Sequence, residues 1–459
     1  MRIGTRSSLL VVIALALGSH GKAMDGGAGV DGGTPAGQAT NAAAPAKAAT
    51  KAQPELIQSN LPAWLQFSVQ ARGRLEAPFG VGYVPDSSDV YYLSRLRFDL
   101  GVRPTKWLRF FAQAQDSRAI GYDLGPKPAS MFDPIDLRQA YVEIGGVEAT
   151  PACVRVGRQE MQFGGGRLVS ASEWSNTGRT FDAARLSLSA SGVKADFFGG
   201  SVIQPDSNRF DRHKPGDHLY GTYIGLGRLM PQAVVEPYFL VKTNLGVNGE
   251  HGDLGNAHVY TSGFRVAGRL PARFDYSTEI AHQWGFWAAD GISATAGYHT
   301  LGWTAVPRGW RPRLSTDITH ASGDGTYKDG NRNTFDQLYG GLHSQVGVAD
   351  QVGWRNIRNY KAGVDVTPTR KLKASVDFRE LYLASTQDGL YNSSGTRVVL
   401  NRKATSTHVG SELDLQASYV IQGATITAGW GRLFAGQYLK QSSKGSGYSF
   451  PFLMWLKRF

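Results

Sequence analysis

The chain predicts an all-β fold, a single transmembrane antiparallel β-barrel of about eighteen strands. Three observations predict it. Apolar and polar residues swap sides with a period of two along segment after segment. The connections between those segments alternate between short and long. The chain closes on an aromatic-rich stretch that ends at Phe459.

Residues 1–23 read as an export signal. Arg2 and Arg6 give a positive start, Leu9 to Leu17 is an unbroken apolar run, and Gly21-Lys22-Ala23 offers a small residue for cleavage. That run is about half of what a membrane-spanning helix needs. Residues 24–60 hold Ala, Gly, Pro, Thr and Lys with little to bury, as expected of a disordered lead-in. Residues 61–459 carry no second break in composition and are expected to form one barrel domain. Cys153 is the only cysteine, so an exported chain here has no disulfide framework. Mean hydropathy is −0.27. No later run is apolar enough for a membrane helix, which excludes a helical membrane protein. A sheet with one face in lipid and one in water averages to such a value.

Alternation is clearest in three segments. Leu96, Phe98 and Leu100 share one face, against Arg95, Arg97 and Asp99 on the other. Tyr360, Ala362, Val364 and Val366 oppose Asn359, Lys361 and Asp365. Leu372, Ala374, Val376, Phe378 and Tyr382 oppose Lys373, Asp377 and Arg379. Wound as a helix, these charges would circle the axis, so strict alternation argues strand. Strands are expected to begin near Ala63, Tyr91, Lys106, Asp136, Ala152 and Phe181, then Val193, Asp217, Ala233, Ala257, Ala272 and Ile292. The last six start near Arg311, Arg355, Arg370, Ala404, Thr425 and Gly447.

Short connections rich in Pro and Gly recur, such as Ala190-Ser191-Gly192, Leu270-Pro271-Ala272, Thr367-Pro368-Thr369 and Ile421-Gln422-Gly423-Ala424. Long ones lie between them, at 117–135, 163–180, 322–354 and 386–403. Short periplasmic turns and long outer loops are the asymmetry of bacterial outer-membrane barrels, so the expected location is the outer membrane of a Gram-negative cell. A terminal aromatic is of the kind the barrel assembly machinery reads. The expected partners are therefore outer-membrane lipid and that machinery. No nucleic-acid module accompanies the basic composition, and no nucleic acid is expected as a partner.

A barrel with lipid outside must line a wet or plugged interior. From Leu61 on there are 44 Lys and Arg against 34 Asp and Glu. Parity puts Arg95, Arg97, Arg109, Arg155, Arg185, Lys194, Arg265, Arg313, Lys361, Lys373 and Arg379 on the polar face. Glu143, Asp196, Glu236, Asp275, Glu279, Asp317, Asp365, Asp377, Glu412 and Asp414 share it. A lattice of cross-strand ion pairs accounts for half or more of these. The remaining positive excess would concentrate an anionic solute, and arginine forks suit carboxylates.

Several stretches resemble the alginate export family. Gly157-Arg158-Gln159-Glu160, Gly166-Arg167-Leu168, Trp174-Ser175-Asn176 and Arg179-Thr180-Phe181-Asp182 fall in its order. So do Ala321-Ser322-Gly323-Asp324, Thr334-Phe335-Asp336, Gly353-Trp354-Arg355-Asn356, His408 to Asp414 and Gly429-Trp430-Gly431. The resemblance implies an eighteen-stranded outer-membrane barrel that passively exports a polyuronate through an arginine-rich constriction. It also implies that Arg158, Arg167 and Arg179 reach the lumen. The family's best-known exporter carries a long periplasmic plug after its sixteenth strand. This chain has only Ile421 to Ala424 there, so the resemblance does not carry that plug over.

The expected substrate is thus an anionic polysaccharide. A general or small-anion uptake porin is the alternative, and a barrel enzyme working through rim residues such as His282, His299, His320 or His343 is a third. No catalytic residues are assigned. No redox or nucleotide cofactor is implied. Asp324, Asp329 and Asp336 gather oxygen ligands in one outer loop, where calcium or a plain polar loop would both fit.

Overall fold

The structure, a computed structural model, describes residues 61–146, 151–230 and 232–459. The export signal and the lead-in expected over 1–60 lie outside them. Among the described residues eighteen antiparallel strands close into one barrel. In order they are β1 (Leu65–Glu76), β2 (Tyr91–Thr105), β3 (Leu108–Ile120), β4 (Asp133–Gly145), β5 (Ala152–Gln159) and β6 (Phe181–Ala190). Then come β7 (Val193–Gln204), β8 (Arg212–Met230), β9 (Ala233–Asn248), β10 (Leu254–Leu270), β11 (Phe274–Trp287) and β12 (Asp290–Thr304). Next are β13 (Arg313–Ala321), β14 (Ile357–Val366) and β15 (Leu372–Leu383). A small hairpin of β16 (Leu390–Tyr391) and β17 (Arg397–Val399) lies in an outer loop. The barrel resumes with β18 (His408–Ile421), β19 (Ala424–Ala435) and β20 (Tyr448–Arg458). A one-and-a-half-turn helix, α1 (Gln437–Ser442), caps the last outer loop.

Each barrel strand pairs with its sequence neighbour, and the seam shuts where β1 meets both β2 and β20. Leu75, for instance, sits opposite Tyr92 on one side and Leu453 on the other. Closure leaves no unpaired backbone edge in lipid, where an unmatched N–H or C=O costs several kcal/mol. Observed strand starts lie within five residues of those expected from alternation.

The faces divide as the period of two requires. Leu96, Phe98 and Leu100 are 41–45% exposed on the outer wall, whereas Arg95 and Arg97 between them are only 1% and 3% exposed. Val364 points outward beside an inward Lys361. Trp64, Trp107, Trp310 and Phe459 ring the end that carries the short turns, the level at which aromatic girdles meet headgroups. The apolar core, by contrast, is inside the barrel. Met161, Phe163, Leu168, Val169, Leu342, Val346 and Trp354 come from two outer loops and pack on inward wall residues such as Phe198, Tyr238, Leu381 and Val409. Those loops, residues 160–180 between β5 and β6 and residues 322–356 between β13 and β14, fold down into the lumen.

Candidate functional site

The 160–180 loop leaves β5 just past Gly157, whose φ of +124° sets the backbone against the Ala140 carbonyl; a Cβ there would lie 2.3 Å from that oxygen. Glycine is what this left-handed backbone position within the strand requires. The loop tip then lies against the β1–β4 wall, where four guanidinium groups gather around Glu173. Arg72 and Arg95 stand directly opposite each other across β1 and β2. Arg97 is two residues on, and Arg138 reaches in from β4. Glu173 of the loop tip takes 2.9 Å bonds from Arg97 on both carboxylate oxygens, a 3.1 Å bond from Arg95 and a 3.2 Å bond from Arg138. Its backbone carbonyl accepts from Arg72 at 2.7 Å. Arg138 also binds Glu160. Burial by itself would lift the Glu173 carboxyl. Arg97, Arg95 and Arg138 outweigh it and hold the group well below the usual carboxylate range, so it stays charged at every physiological pH. Its side chain nevertheless keeps 47% of its surface open, although wall residues crowd its other side.

Next to it, Trp174 is sandwiched. The Arg74 guanidinium lies 3.7 Å from one ring centroid, and the His343 ring stacks at 3.5 Å, tilted by 2°. His343 belongs to the second loop and is hydrogen-bonded to Asp350 at 2.8 Å. The two loops are therefore joined. Val169 and Tyr339 form a parallel bridge. The Ser170 amide donates to the Tyr339 carbonyl at 3.1 Å, and the Tyr339 amide to the Leu168 carbonyl at 2.9 Å.

The 322–356 loop is tied to the opposite walls by charge. Asp336 receives Lys242 of β9 and Arg355, each at 2.9 Å. Burial opposes its ionisation, but Lys242 and Arg355 prevail and keep it well below the usual range. Arg379 of β15 donates to the Ser344 and Gln345 carbonyls and to Asp414. The Ala349 amide donates to Glu412 at 3.0 Å.

The basic residues expected in the lumen are almost all engaged there. Arg155 pairs with Glu143, Arg167 with Glu279, Arg185 with Asp196, Lys361 with Asp317, and Arg379 with Asp414. Arg179 donates to the carbonyls of Tyr339 and Gly340. Arg109 faces its register partner Glu143 and lies over the Phe111 ring. Arg158 corrects the expectation. It stands three residues from the inward Arg155, so the period of two turns it outward, on the face of Val154 and Val156. There it binds Asp182 at 2.9 Å and the Asp211 carbonyl at 3.0 Å.

The fold does not gather Asp324, Asp329 and Asp336. Asp336 is held by its two cations, the Asp324 amide donates to Asp388, and Asp329 caps the Asn331 amide. A different trio converges at the outer rim: Asp133, Asp136 and Asp211 have oxygens within 4.8 Å of one another. Among the candidate histidines, His343 is in the lumen, while His282, His299 and His320 face outward.

The residues missed are Arg72, Arg74, Arg138, Glu160 and Glu173. Arg72 and Arg74 carry the inward parity of β1, which was legible. Arg138 was masked by a β-bulge beside Gln113 that turns it and Gln139 to the same side. Glu173 directly precedes the Trp174-Ser175-Asn176 motif.

The model of the alginate export family matches residues 62–449. No curated protein sequence matches the chain. Among solved structures the barrel is similar to OccD3 (OpdP) from Pseudomonas aeruginosa, with a TM-score of 0.60 and 11% identity over 87% of this chain and 92% of that one. It is similar also to OccK3 (OpdO) from Pseudomonas aeruginosa, with a TM-score of 0.58 and 12% identity over 88% of this chain and 97% of that one. A BenF-like porin from Pseudomonas fluorescens Pf-5 gives a TM-score of 0.57 and 8% identity over 86% and 98%. These likenesses establish the fold.

Proposed function

Because the chain belongs to the alginate export family and is an outer-membrane channel, we propose that it passes an anionic polysaccharide of the polyuronate kind. One observation carries this reading. The β1–β4 wall holds Arg72, Arg95, Arg97 and Arg138 together, each no more than 5% exposed, and the carboxylates that pair with these four among the described residues, Glu173 and Glu160, are both brought by the loop. Fixed guanidinium forks can take both oxygens of a carboxylate, and a cationic lumen raises the local concentration of anions.

Single-channel recording in planar bilayers tests it. The expected result is a preference for anions and a block of current by uronate oligomers. With Arg97→Gln the reversal potential should move toward cation preference, and about tenfold more oligomer should be needed for the same block, the loss of one charge-assisted contact. Fast passage of small anions with no response to oligomers would instead identify a small-anion uptake porin. Indifference to the sign of the solute's charge would overturn both.

A further inference from the structure

Glu173 is not part of the wall it binds. It is carried there by a loop, and every contact that holds it is non-covalent and exchangeable: three arginine forks on the carboxylate, arginine donors on its backbone carbonyl, and a stacked neighbour. The wall beneath is arranged to need an anion. Arg72 opposite Arg95 is a like-charge pair on adjacent strands, an arrangement that repels unless something negative lies across it. Sunken guanidinium groups without a counter-charge are costlier still. The donors also outnumber what Glu173 uses. Arg72 Nε, Arg95 Nε and Arg97 Nη2 are buried and find no hydrogen-bond partner among the described residues. Finally, the open half of the Glu173 side chain marks the route by which another anion could reach these groups.

We infer that Arg72, Arg95, Arg97 and Arg138 form a carboxylate-binding site for the transported chain, and that Glu173 occupies it as the protein's own stand-in for a uronate carboxylate. This deepens, and rests on, the channel reading above. An arriving uronate takes the arginine forks while Glu173 moves out into the lumen, one carboxylate replacing another with no change in the charge of the site. Only the Glu173 side chain has to leave, because Ser175, Asn176 and Thr177 keep the rest of the loop on the wall. A neutral sugar cannot make the exchange, so Glu173 stays in place against it. Competition from a tethered group lowers apparent affinity by the fraction of time the site is already filled. Removing the competitor's charge should therefore strengthen binding, which no role as a structural brace would produce.

Full-length protein and its Glu173→Gln variant are compared in planar bilayers, with a uronate oligomer and a neutral glucose oligomer of equal length as probes. The expected result is half-block of Glu173→Gln at about tenfold or more lower uronate concentration than wild type, with the neutral oligomer inert on both. Glu173→Ala provides a second variant with the same expectation, should the glutamine side chain keep the arginines by hydrogen bonding. Block of wild type at a concentration that both variants leave unchanged or raise overturns the inference while the channel reading stands. Absence of uronate block in wild type and variants alike overturns both.

Discussion

Arg379 shows what a single lumen residue does in this molecule. Alternation puts it on the inner face, where it would read as a lining for passing anions. The fold instead surrounds it with Asp414, Asp377 and two carbonyls of the 322–356 loop, at 1% exposure. Arg379→Met would strand buried carboxylates, and a loss of about 3–5 kcal/mol is expected, the cost of breaking a buried pair. Urea titration of the protein in detergent micelles reads it as a lowered midpoint. Glu250, on the outer loop after β9, carries the opposite perturbation. Burial, then Asp324 and Asp290, push its carboxyl up to about 7. A group raised on folding favours the folded arrangement below its ordinary range and loses that contribution as pH climbs through the raised value. Repulsion from Asp324 and Asp290 should therefore loosen the loop around Glu250 between about pH 6 and 8. Hydrogen exchange at Lys328, corrected for its intrinsic rise with pH, checks this; flat protection across that window would contradict it.

At the scale of strands and loops, the sequence was most legible where structure is local. Side-chain direction in a strand follows from pleating alone, so the Leu96-Arg97-Phe98 pattern exposed its own faces without knowledge of any partner. Phe98 lies mid-strand on the lipid face of β2. Phe98→Arg should lower the folding free energy by about 2–4 kcal/mol, measured by reversible unfolding from lipid vesicles. The same charge at an inward position of the strand should cost much less. Bulges are where this local reading slipped. At Arg138 an extra residue shifts the alternation, and nothing in the chain from Ile135 to Tyr141 announces it. The two inserted loops were harder again. They were recognised as long, but an aperiodic stretch does not say whether it rises into solvent or drops into the lumen. Their buried Met161, Phe163, Trp354 and Val346 were the available hint, since outer loops in water have no reason to be so apolar.

As a whole molecule, the barrel is closed by the seam between β1 and β20, and its lumen is filled by what is hung inside. Eighteen strands enclose more room than wall side chains fill, and two loops of different origin meet across it. One brings Glu173 and Trp174 to the β1–β4 side. The other brings Asp336, His343 and the backbone that Arg379 holds. Charge is therefore not spread evenly around the lumen. Most walls are neutralised in pairs, and the arginine group of β1, β2 and β4 is where cations gather around borrowed acids. A passage whose charge is concentrated at one station suits stepwise hand-over of carboxylates better than a uniformly cationic tube, which would hold an anionic chain too firmly to release it.

The sequence by itself determined the barrel, the number of its strands, the faces along its unbulged strands and the end at which the long loops emerge. All of these follow from pleating and from the need to satisfy backbone groups in lipid, which act over a few residues at a time. Only the tertiary structure decided that Arg138 faces in, that two loops turn inward, and that Glu173 fills the arginine wall. Those outcomes depend on groups such as Arg72 and Asn176, 104 residues apart along the chain. Charge and packing between such groups act through space once the cylinder has closed, and leave no periodic trace in the order of residues.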